Sequence, residues 1–505
     1  MTRVLEFVVA LIIVFVIAVI VGLFLPSHAH IERSLDISHN PQQIYDVLNN
    51  FRRFPDYVGG ELQAQDPQVK FSFSGPAYGP GATIHWTGGT NGSVGKGTLV
   101  NKSGNIDLAG NSTVTWDLTN QWRGDNKTFT LQVAPSHGQR VSTVTWGFDV
   151  DYGWNLIDRY SQLWIHGVPD TMIQYGLDSL QTMLAGIPNV DYGNLAPGLY
   201  RTAPTPMLLV STKATRTLDD IDTAKAAALK EIHAAMDKLG VKAAGPTTTI
   251  TTEWGDTTYT FDLAVPIDST TIKIDGKDYD LTRLPPRPTP EQLAAKAASA
   301  SSAASAASAA GAASAGNPAA SGSAAAGASA GKPTSSASAG EPASGSSAGA
   351  AASGDEDQGP VPGKLDKQNQ LIVNDNVRAV MMPGREVLEA TWTGEAGIPL
   401  VRLALQAYAG THGYDFNETE QRMYDELASP ADTPDQDQIY RVFLPVTNAP
   451  AQTPEQISGR AEPLAALDPS IWTGKAPESK NGEGDKNKKS EGRKPPAHAK
   501  KRHRG

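Results

Sequence analysis

From Ala294 to Gly354 the chain contains no Ile, Leu, Val, Met or aromatic residue and only three charges. Such a stretch has no apolar surface whose burial would offset the entropy lost on ordering. Its Ala-Ser runs favour transient helix, but interspersed Gly and Pro keep helix from persisting. The biased region extends over residues 285–363 and is expected to be disordered, so folded material must lie on either side of it. The two sides resemble each other. One ends Tyr259-Thr-Phe-Asp-Leu-Ala-Val-Pro266 and the other Tyr440-Arg-Val-Phe-Leu-Pro-Val446. Each reads as a strand closing on a proline, preceded by a helix flanked by strands. Because loop closure costs rise only logarithmically with length, the two halves can form one module despite the insertion.

A chain of 505 residues ordinarily allows about three domains, and the biased segments reduce the folded part below that length. The formal charge of −10 hides a division. Lys475 to Gly505 carries eleven Lys/Arg against four Asp/Glu, a local +7, which leaves −17 for everything before it. An acidic body argues against specific nucleic-acid binding, which needs Lys and Arg clustered on the folded surface. The basic tail, residues 449–505, is expected to be disordered and suits contact with anionic lipid or polymer, or simple solvation. With no cysteine in the chain, disulfides, thiolate metal sites and cysteine nucleophiles are excluded.

Phe7 to Leu25 contains no charge, and at 1.5 Å per residue its length approaches the ~30 Å of bilayer hydrocarbon. Residues 1–28 are therefore expected to form an uncleaved transmembrane anchor. The alternative is a secretory signal, with Ser27-His-Ala29 as a small-x-small site, but the apolar run exceeds the ~7–15 residues of a signal core. Arg3 precedes the span, and Arg33 is the first cation after it apart from histidines. This difference favours an inside N-terminus and an extracytoplasmic body, periplasmic in a bacterium.

Residues 30–190 form the first globular region. His30 to Ile37 alternates as a half-buried strand does. Asn40-Pro41 supplies an N-cap with proline at the first helical position, and Ile44, Tyr45, Val47, Leu48 and Phe51 follow at helical spacing. Strands are expected at residues 70–73, 83–87, 113–118, 128–133 and 142–148. Met172, Ile173, Leu177, Leu180 and Leu184 then mark an amphipathic helix. The glycine-rich Gly88 to Gly97 fails as a phosphate-binding loop, because Thr90 stands where the first Gly is needed and Gly97 where Ser or Thr is needed; it is read as turns.

This order, together with Arg33 to Leu48, Phe54-Pro-Asp-Tyr57, Tyr78 to Trp86 and Val144-Thr-Trp146, resembles the START-like superfamily and its polyketide cyclase/dehydrase group. The resemblance implies a helix-grip fold, a curved sheet wrapped around a long helix, with an apolar cavity. Trp86, Trp116 and Trp146 are candidates to line that cavity, and core packing is the competing reading for each.

The second region covers residues 199–284 and 364–448. Pro206 to Ser211 reads as a strand. Asp222 is a candidate cap for a helix carrying Ala228, Leu229, Ile232, Met236 and Leu239 on one side, closed by Gly240. Strands follow at residues 247–252 and 257–265. Past the insertion the cycle recurs, with strands at residues 377–382 and 387–392, a helix with Pro399 in its first turn, Gly413, and a strand at residues 439–444. Pro383-Gly-Arg-Glu-Val387, Trp392-Thr-Gly394, Ala407-Tyr408, His412-Gly-Tyr414 and Arg422-Met-Tyr424 carry a resemblance to the gyrase-inhibitor-like bacterial effector-binding domain. That resemblance implies two pseudo-symmetric halves around an aromatic-lined groove, with an acid in the last strand for cationic ligands. Here that position is Arg441, and the corresponding residue of the first half is Asp262. Trp392, Tyr424 and Asp262 are the candidate ligand contacts.

The fold class read from the sequence is thus α+β: a transmembrane helix, a helix-grip domain, and a duplicated βαββ domain. The scattered histidines show no metal-ligand spacing, and no cofactor motif is present. The expected function is a membrane-anchored binder of a small hydrophobic, amphipathic or aromatic ligand. A cyclase-like or hydrolase-like enzyme is the rival, with His85 and Asp117 its only candidate acid or base residues, and an envelope scaffold is a third reading.

Overall fold

The computed structural model describes residues 2–90, 94–136, 140–288, 360–417, 421–430 and 433–449, together with 292 and 295. The basic tail and the body of the low-complexity insertion lie outside the described residues.

The apolar run forms α1 (Thr2–Phe24). Over Arg3–Phe24 its mean hydropathy reaches 3.5, and it is the one helix among the described residues long and apolar enough to cross a membrane. The first globular unit then runs β1 (His28–Ile37), α2 (Pro41–Leu48), α3 (Phe54–Tyr57), α4 (Gly59–Gln65), β2 (Lys70–Ser74), β3 (Thr83–Thr87), β4 (Lys96–Ile106), β5 (Ser112–Asn120), β6 (Asp125–Ser136), β7 (Val141–Asp151), α5 (Leu156–Tyr160) and α6 (Val168–Ala185). Its seven strands are antiparallel in the order β1-β7-β6-β5-β4-β3-β2. Asn40 caps α2 as expected, its side-chain oxygen accepting from the Gln42 amide at 2.8 Å. Along β5 the inward residues Val114, Trp116 and Leu118 are buried. On α6, Ile173, Leu177, Leu180 and Leu184 turn to the same core. Arg33 on β1 fixes the helix to the sheet by two hydrogen bonds to Asp170, at 2.8 and 2.7 Å. The arrangement is a sheet gripping a long helix.

One expected turn is partly strand. The glycine-rich stretch reaches into β4, and Gly97 lies beneath Trp86, where an added Cβ would come within 2.0 Å of the indole. Gly97 therefore serves packing.

The second unit contains β8 (Gly198–Arg201), β9 (Thr205–Thr215), α7 (Leu218–Leu239), β10 (Thr248–Trp254), β11 (Thr258–Pro266), the hairpin β12 (Thr271–Ile274) and β13 (Lys277–Asp280), β14 (Leu371–Ile372), β15 (Val377–Met382), β16 (Glu386–Thr393), α8 (Ile398–His412), β17 (Tyr424–Leu427) and β18 (Ile439–Val446). Apart from the hairpin, the strands form one antiparallel sheet in the order β14-β15-β9-β11-β10-β17-β18-β16-β8. Within it, β9-β11-β10 and β16-β18-β17 have matching orders and meet at the β10–β17 pair. The helix α7 begins earlier than expected. Its cap is Thr217, which has extended backbone and whose hydroxyl accepts from the Asp220 amide at 3.3 Å, whereas Asp222 lies inside the helix. Gly240 and Gly413 end α7 and α8 with φ of +71° and +70°, the left-handed conformation that glycine adopts without a Cβ penalty.

The two units share α8. Val401, Leu405 and Ala409 pack into the second sheet, while Ala404 and Ala407 join the core of the first unit. Polar contacts seal the junction: Tyr192 donates to Asp46 or meets Thr411, each oxygen at 2.8 Å, and Asn50 donates to the Thr411 carbonyl at 3.1 Å. Gly410 lies against Ile187, which an added Cβ would meet at 3.1 to 3.3 Å. Gly410→Leu is therefore expected to wedge the units apart at a cost of about 1–3 kcal/mol, splitting a shared thermal unfolding transition into two; differential scanning calorimetry checks this.

Candidate ligand-binding site

The strands of the second sheet are apolar on both faces. On β11, Phe261, Leu263 and Val265 face α7, so the alternating residues Asp262 and Ala264 face the other way. On β9, Leu208 and Val210 face the helix, while Met207 and Leu209 join Ala264, Ile250, Val380 and Met382 on the opposite face. Among the described residues no helix covers that second face. It is roofed instead by the chain on either side of the insertion, Leu284 to Arg287 and Gln368 to Gln370, leaving a cavity of 780 Å³.

The roof is tied together locally. Asp366 accepts from the amides of Gln368 and Gln370, both at 2.8 Å. Asn369, with φ of +62°, donates through its side chain to the Pro286 carbonyl at 2.8 Å, and Arg287 is hydrogen-bonded to Gln368. The two ends of the insertion are thereby joined at the cavity.

Among the described residues, three arginines and one carboxylate line the cavity: Arg287, Arg385, Arg422 and Asp262. Asp262 is buried and accepts from the Ser211 hydroxyl at 2.6 Å. Its other oxygen lies 3.8 Å from Arg422 and 4.0 Å from Arg287. Burial, and then the neighbouring Arg287 charge, lower the pKa of Arg422. Burial likewise lowers that of Arg385, whose guanidinium has no hydrogen bond or ion pair among the described residues. Among the described residues one carboxylate thus faces three guanidinium groups, an excess of cationic lining beside a Met- and Leu-rich wall.

Of the candidate ligand contacts Trp392, Tyr424, Asp262, Trp86, Trp116 and Trp146, Asp262 alone lines this cavity. Tyr424 is buried beside it on the same face, stacked on Phe443 with centroids 4.6 Å apart, in a cluster that touches Ile250 and Met382. Trp392 lies elsewhere, 37% exposed, over Gly397, whose added Cβ would overlap the indole nitrogen. Trp116 and Trp146 are fully buried and meet edge to face at 5.6 Å, surrounded by Phe51, Tyr57 and Phe129. Trp86 is buried against Phe71 and Gly97. These three rings fill the interior in which a cavity was expected, and they line none of the cavities described here. His85 and Asp117 point away from that interior because their neighbours Trp86 and Trp116 point into it. His85 is bonded to Ser74 at 3.0 Å and Thr98 at 2.9 Å, and Asp117 lies 3.4 Å from Lys102.

Arg441, which replaces the acid implied by the resemblance, is itself neutralised. It makes two hydrogen bonds to Glu389, at 2.8 and 2.7 Å, and lies 3.6 Å from Glu426. A smaller groove of 220 Å³ lies on the helix face, between the starts of α7 and α8. There Lys225 pairs with Glu395 and Arg402 with Asp425, while burial and the nearby Glu395 push Asp222 up to about 6. Its charges are spent on one another. No group of three or more His, Asp or Glu residues among the described residues is arranged to hold a metal ion.

Arg385 and Arg422 stand in the segments that carry the effector-binding resemblance, but neither they nor Arg287 were candidate ligand contacts, because their convergence depends on strand pairing and on the return of the chain after the insertion. The signal for the cavity was present in β11 and β9, whose apolar runs are too continuous for a sheet solvated on one face.

No known family profile matches the chain, and no curated protein sequence matches it. Solved structures similar to it include norcoclaurine synthase from Thalictrum flavum, 10% identical, over 32% of this chain and 95% of that one, with a TM-score of 0.25. The ginseng major latex-like protein 151 from Panax ginseng is 12% identical over 31% of this chain and 97% of that one, with a TM-score of 0.22. A protein from Nitrosospira multiformis is 14% identical over 30% and 94%, with a TM-score of 0.21. At these values the fold description rests on the strand order and packing given above.

Burial, reinforced by Glu389 and opposed by Arg441, pushes the Glu426 carboxyl up to about 7. The folded chain thus holds a proton that the unfolded chain has lost, so this group's contribution to stability falls as pH rises from the ordinary glutamate range to about 7, by up to about 1.4 kcal/mol per pH unit. Glu426→Gln is expected to flatten that slope. Urea unfolding midpoints at about pH 5 and about pH 8 check it, the variant gaining on the wild type at the higher pH.

Proposed function

We propose that the chain is a membrane-anchored binder of amphipathic small molecules, and that its binding site is the cavity under the uncovered face of the second sheet. The observation that carries this reading is the composition of that cavity: 780 Å³ of space, a wall of Met207, Leu209, Ile250, Val380 and Met382, and guanidinium groups in excess over the single Asp262 carboxylate. A space of that size suits a drug-sized ligand. An apolar body is held by the wall, and an anionic head is held by charge-assisted hydrogen bonds from Arg385 and Arg422. The ligand class is therefore an amphipathic anion, the opposite of the cationic class implied by an acidic last strand.

The matching strand orders on either side of the β10–β17 pair support reading the second unit as two βαββ halves of an effector-binding module. The length and hydropathy of α1 support the anchor, and the placement of Arg3 and Arg33 supports an extracytoplasmic body. The enzyme reading loses its named residues, since His85 and Asp117 lie on the outer face of the first sheet.

Isothermal titration of the full chain with naphthalene-2-sulfonate and with neutral 2-naphthalenemethanol tests the proposal. The sulfonate is expected to bind more tightly. Arg385→Ala is expected to weaken it about tenfold, corresponding to about 1.4 kcal/mol, while changing the alcohol little. Leu209→Trp is expected to abolish binding of both. Absence of sulfonate binding, or binding indifferent to Leu209→Trp, overturns the assignment.

A further inference from the structure

The apolar helix α1 does not leave the body as a free tether. Its last turns pack on α5. Tyr160 donates to the Ala18 carbonyl at 2.6 Å, and Arg159 donates to the carbonyls of Leu23 and Leu25 at 3.1 and 3.3 Å. Gly22 lies against Tyr160 and Leu156, where an added Cβ would meet them at 3.2 and 3.3 Å. The segment that receives α1 is itself apolar toward solvent: Trp154 is 85% exposed, Ile157 64%, Leu163 61% and Val168 52%. Its charged residues are already engaged. Asp158 pairs with Arg123 at 3.0 Å, and Arg159, besides its carbonyl contacts, lies 5.1 Å over the Trp154 ring.

Depth follows from helix geometry. The 23 residues of α1 span about 34 Å, little more than the ~30 Å of hydrocarbon. Ala18 lies six residues before Phe24, about 9 Å below the helix end. A side chain bonded to the Ala18 carbonyl is thus drawn to the depth at which interfacial helices lie, roughly 5–10 Å into the headgroup and acyl boundary. Tryptophan and tyrosine are enriched at that level because one end of each is apolar and the other wet.

We infer that residues 154–168 form a membrane seat: Trp154, Ile157, Leu163 and Val168 insert into the lipid interface around the emerging end of α1 and hold the first globular unit against the bilayer. The inference rests on the reading of α1 as a transmembrane anchor. The occupant is the lipid bilayer, since the exposed apolar surface is continuous with a helix that itself spans it.

The absence of cysteine from the chain permits a direct test with single-cysteine variants of the full chain, labelled with nitrobenzoxadiazole and reconstituted into phosphatidylcholine vesicles containing lipids spin-labelled high on the acyl chain. Ile157→Cys and Leu163→Cys report the seat, and Phe15→Cys reports the anchor. Leu108→Cys is the control. Leu108 is fully exposed in the β4–β5 turn beside Ser112, which the ladder aligns through Val133 and Val144 with Leu35. That is seven residues along β1 from His28, about 23 Å away at ~3.3 Å per residue. Quenching at positions 157 and 163 but not at 108 is the expected result. Quenching at 15 without quenching at 157 and 163 overturns the seat and leaves the anchor standing. Silence at all three overturns both.

Discussion

Everything in the body depends on how α8 is shared. A helix with one apolar stripe would complete the second sheet and leave the first unit to its own core. In α8 the stripe facing its own sheet, Val401, Leu405 and Ala409, is accompanied by small residues, Ala404 and Ala407, that enter the neighbouring core. Small side chains permit close approach, as Gly410 against Ile187 and Gly413 against Arg52 show. Asp46 is half-buried at this junction, where desolvation raises its pKa against the pull of His412 and the hydrogen bonds from Tyr192 and Gln42. Residues far apart in the chain, such as Asn50 and Thr411, thereby become partners.

The same economy shapes the second sheet. Its helices cover one face, and burying the other face required material from elsewhere. The chain on both sides of the insertion supplies it, through Asn369 bonded to Pro286 and the turn organised by Asp366. A roof made of loops packs less completely than a helix would, since loops carry polar backbone that must be satisfied locally. The cavity follows from that mismatch between an apolar sheet face and a polar cover. The insertion departs and returns at the site itself.

Much of the framework was legible because its signals are local. Asn40-Pro41 caps α2, Gly240 and Gly413 close two helices, and alternation along β5 and β7 marks which residues face inward. Asp222 misled as a cap because it carries the right chemistry, but it lies inside a helix already started at Thr217. The tryptophans were open to two readings, cavity lining or core, because an aromatic ring reads the same whether it bounds a space or fills one. Only the mutual packing of Trp116, Trp146, Phe129 and Tyr57 separates the two. The convergence of the cavity's arginines was beyond sequence reasoning for a topological reason, although Arg385 and Arg422 stand in motifs quoted above: Arg287, Arg385 and Arg422 come from three segments that meet only after β9 has paired with β15 and β10 with β17. Arg441 shows the converse case. It stands where an acid was implied, yet Glu389 and Glu426 from adjoining strands surround it, so local charge is not given by one residue of a motif.

The cavity's charge runs against that of the molecule. A chain with net charge −10 repels anions at long range, but that field is screened within about 8 Å at physiological ionic strength. Inside a cavity the arginines act at contact distance and with less water between them and a ligand, where interactions between charges strengthen severalfold. Selection for an anion can therefore be made by the site even though the surface discourages approach. The apolar wall then matters for affinity in its own right, since partition onto Met207, Leu209 and Met382 must offset both the long-range repulsion and the desolvation of the anionic head. An ion without an apolar body lacks that contribution, and an apolar body without an anion leaves the half-buried Arg385 unpaired. In the proposed function both parts of the site are needed, and together they define an amphipathic anion more narrowly than either does alone.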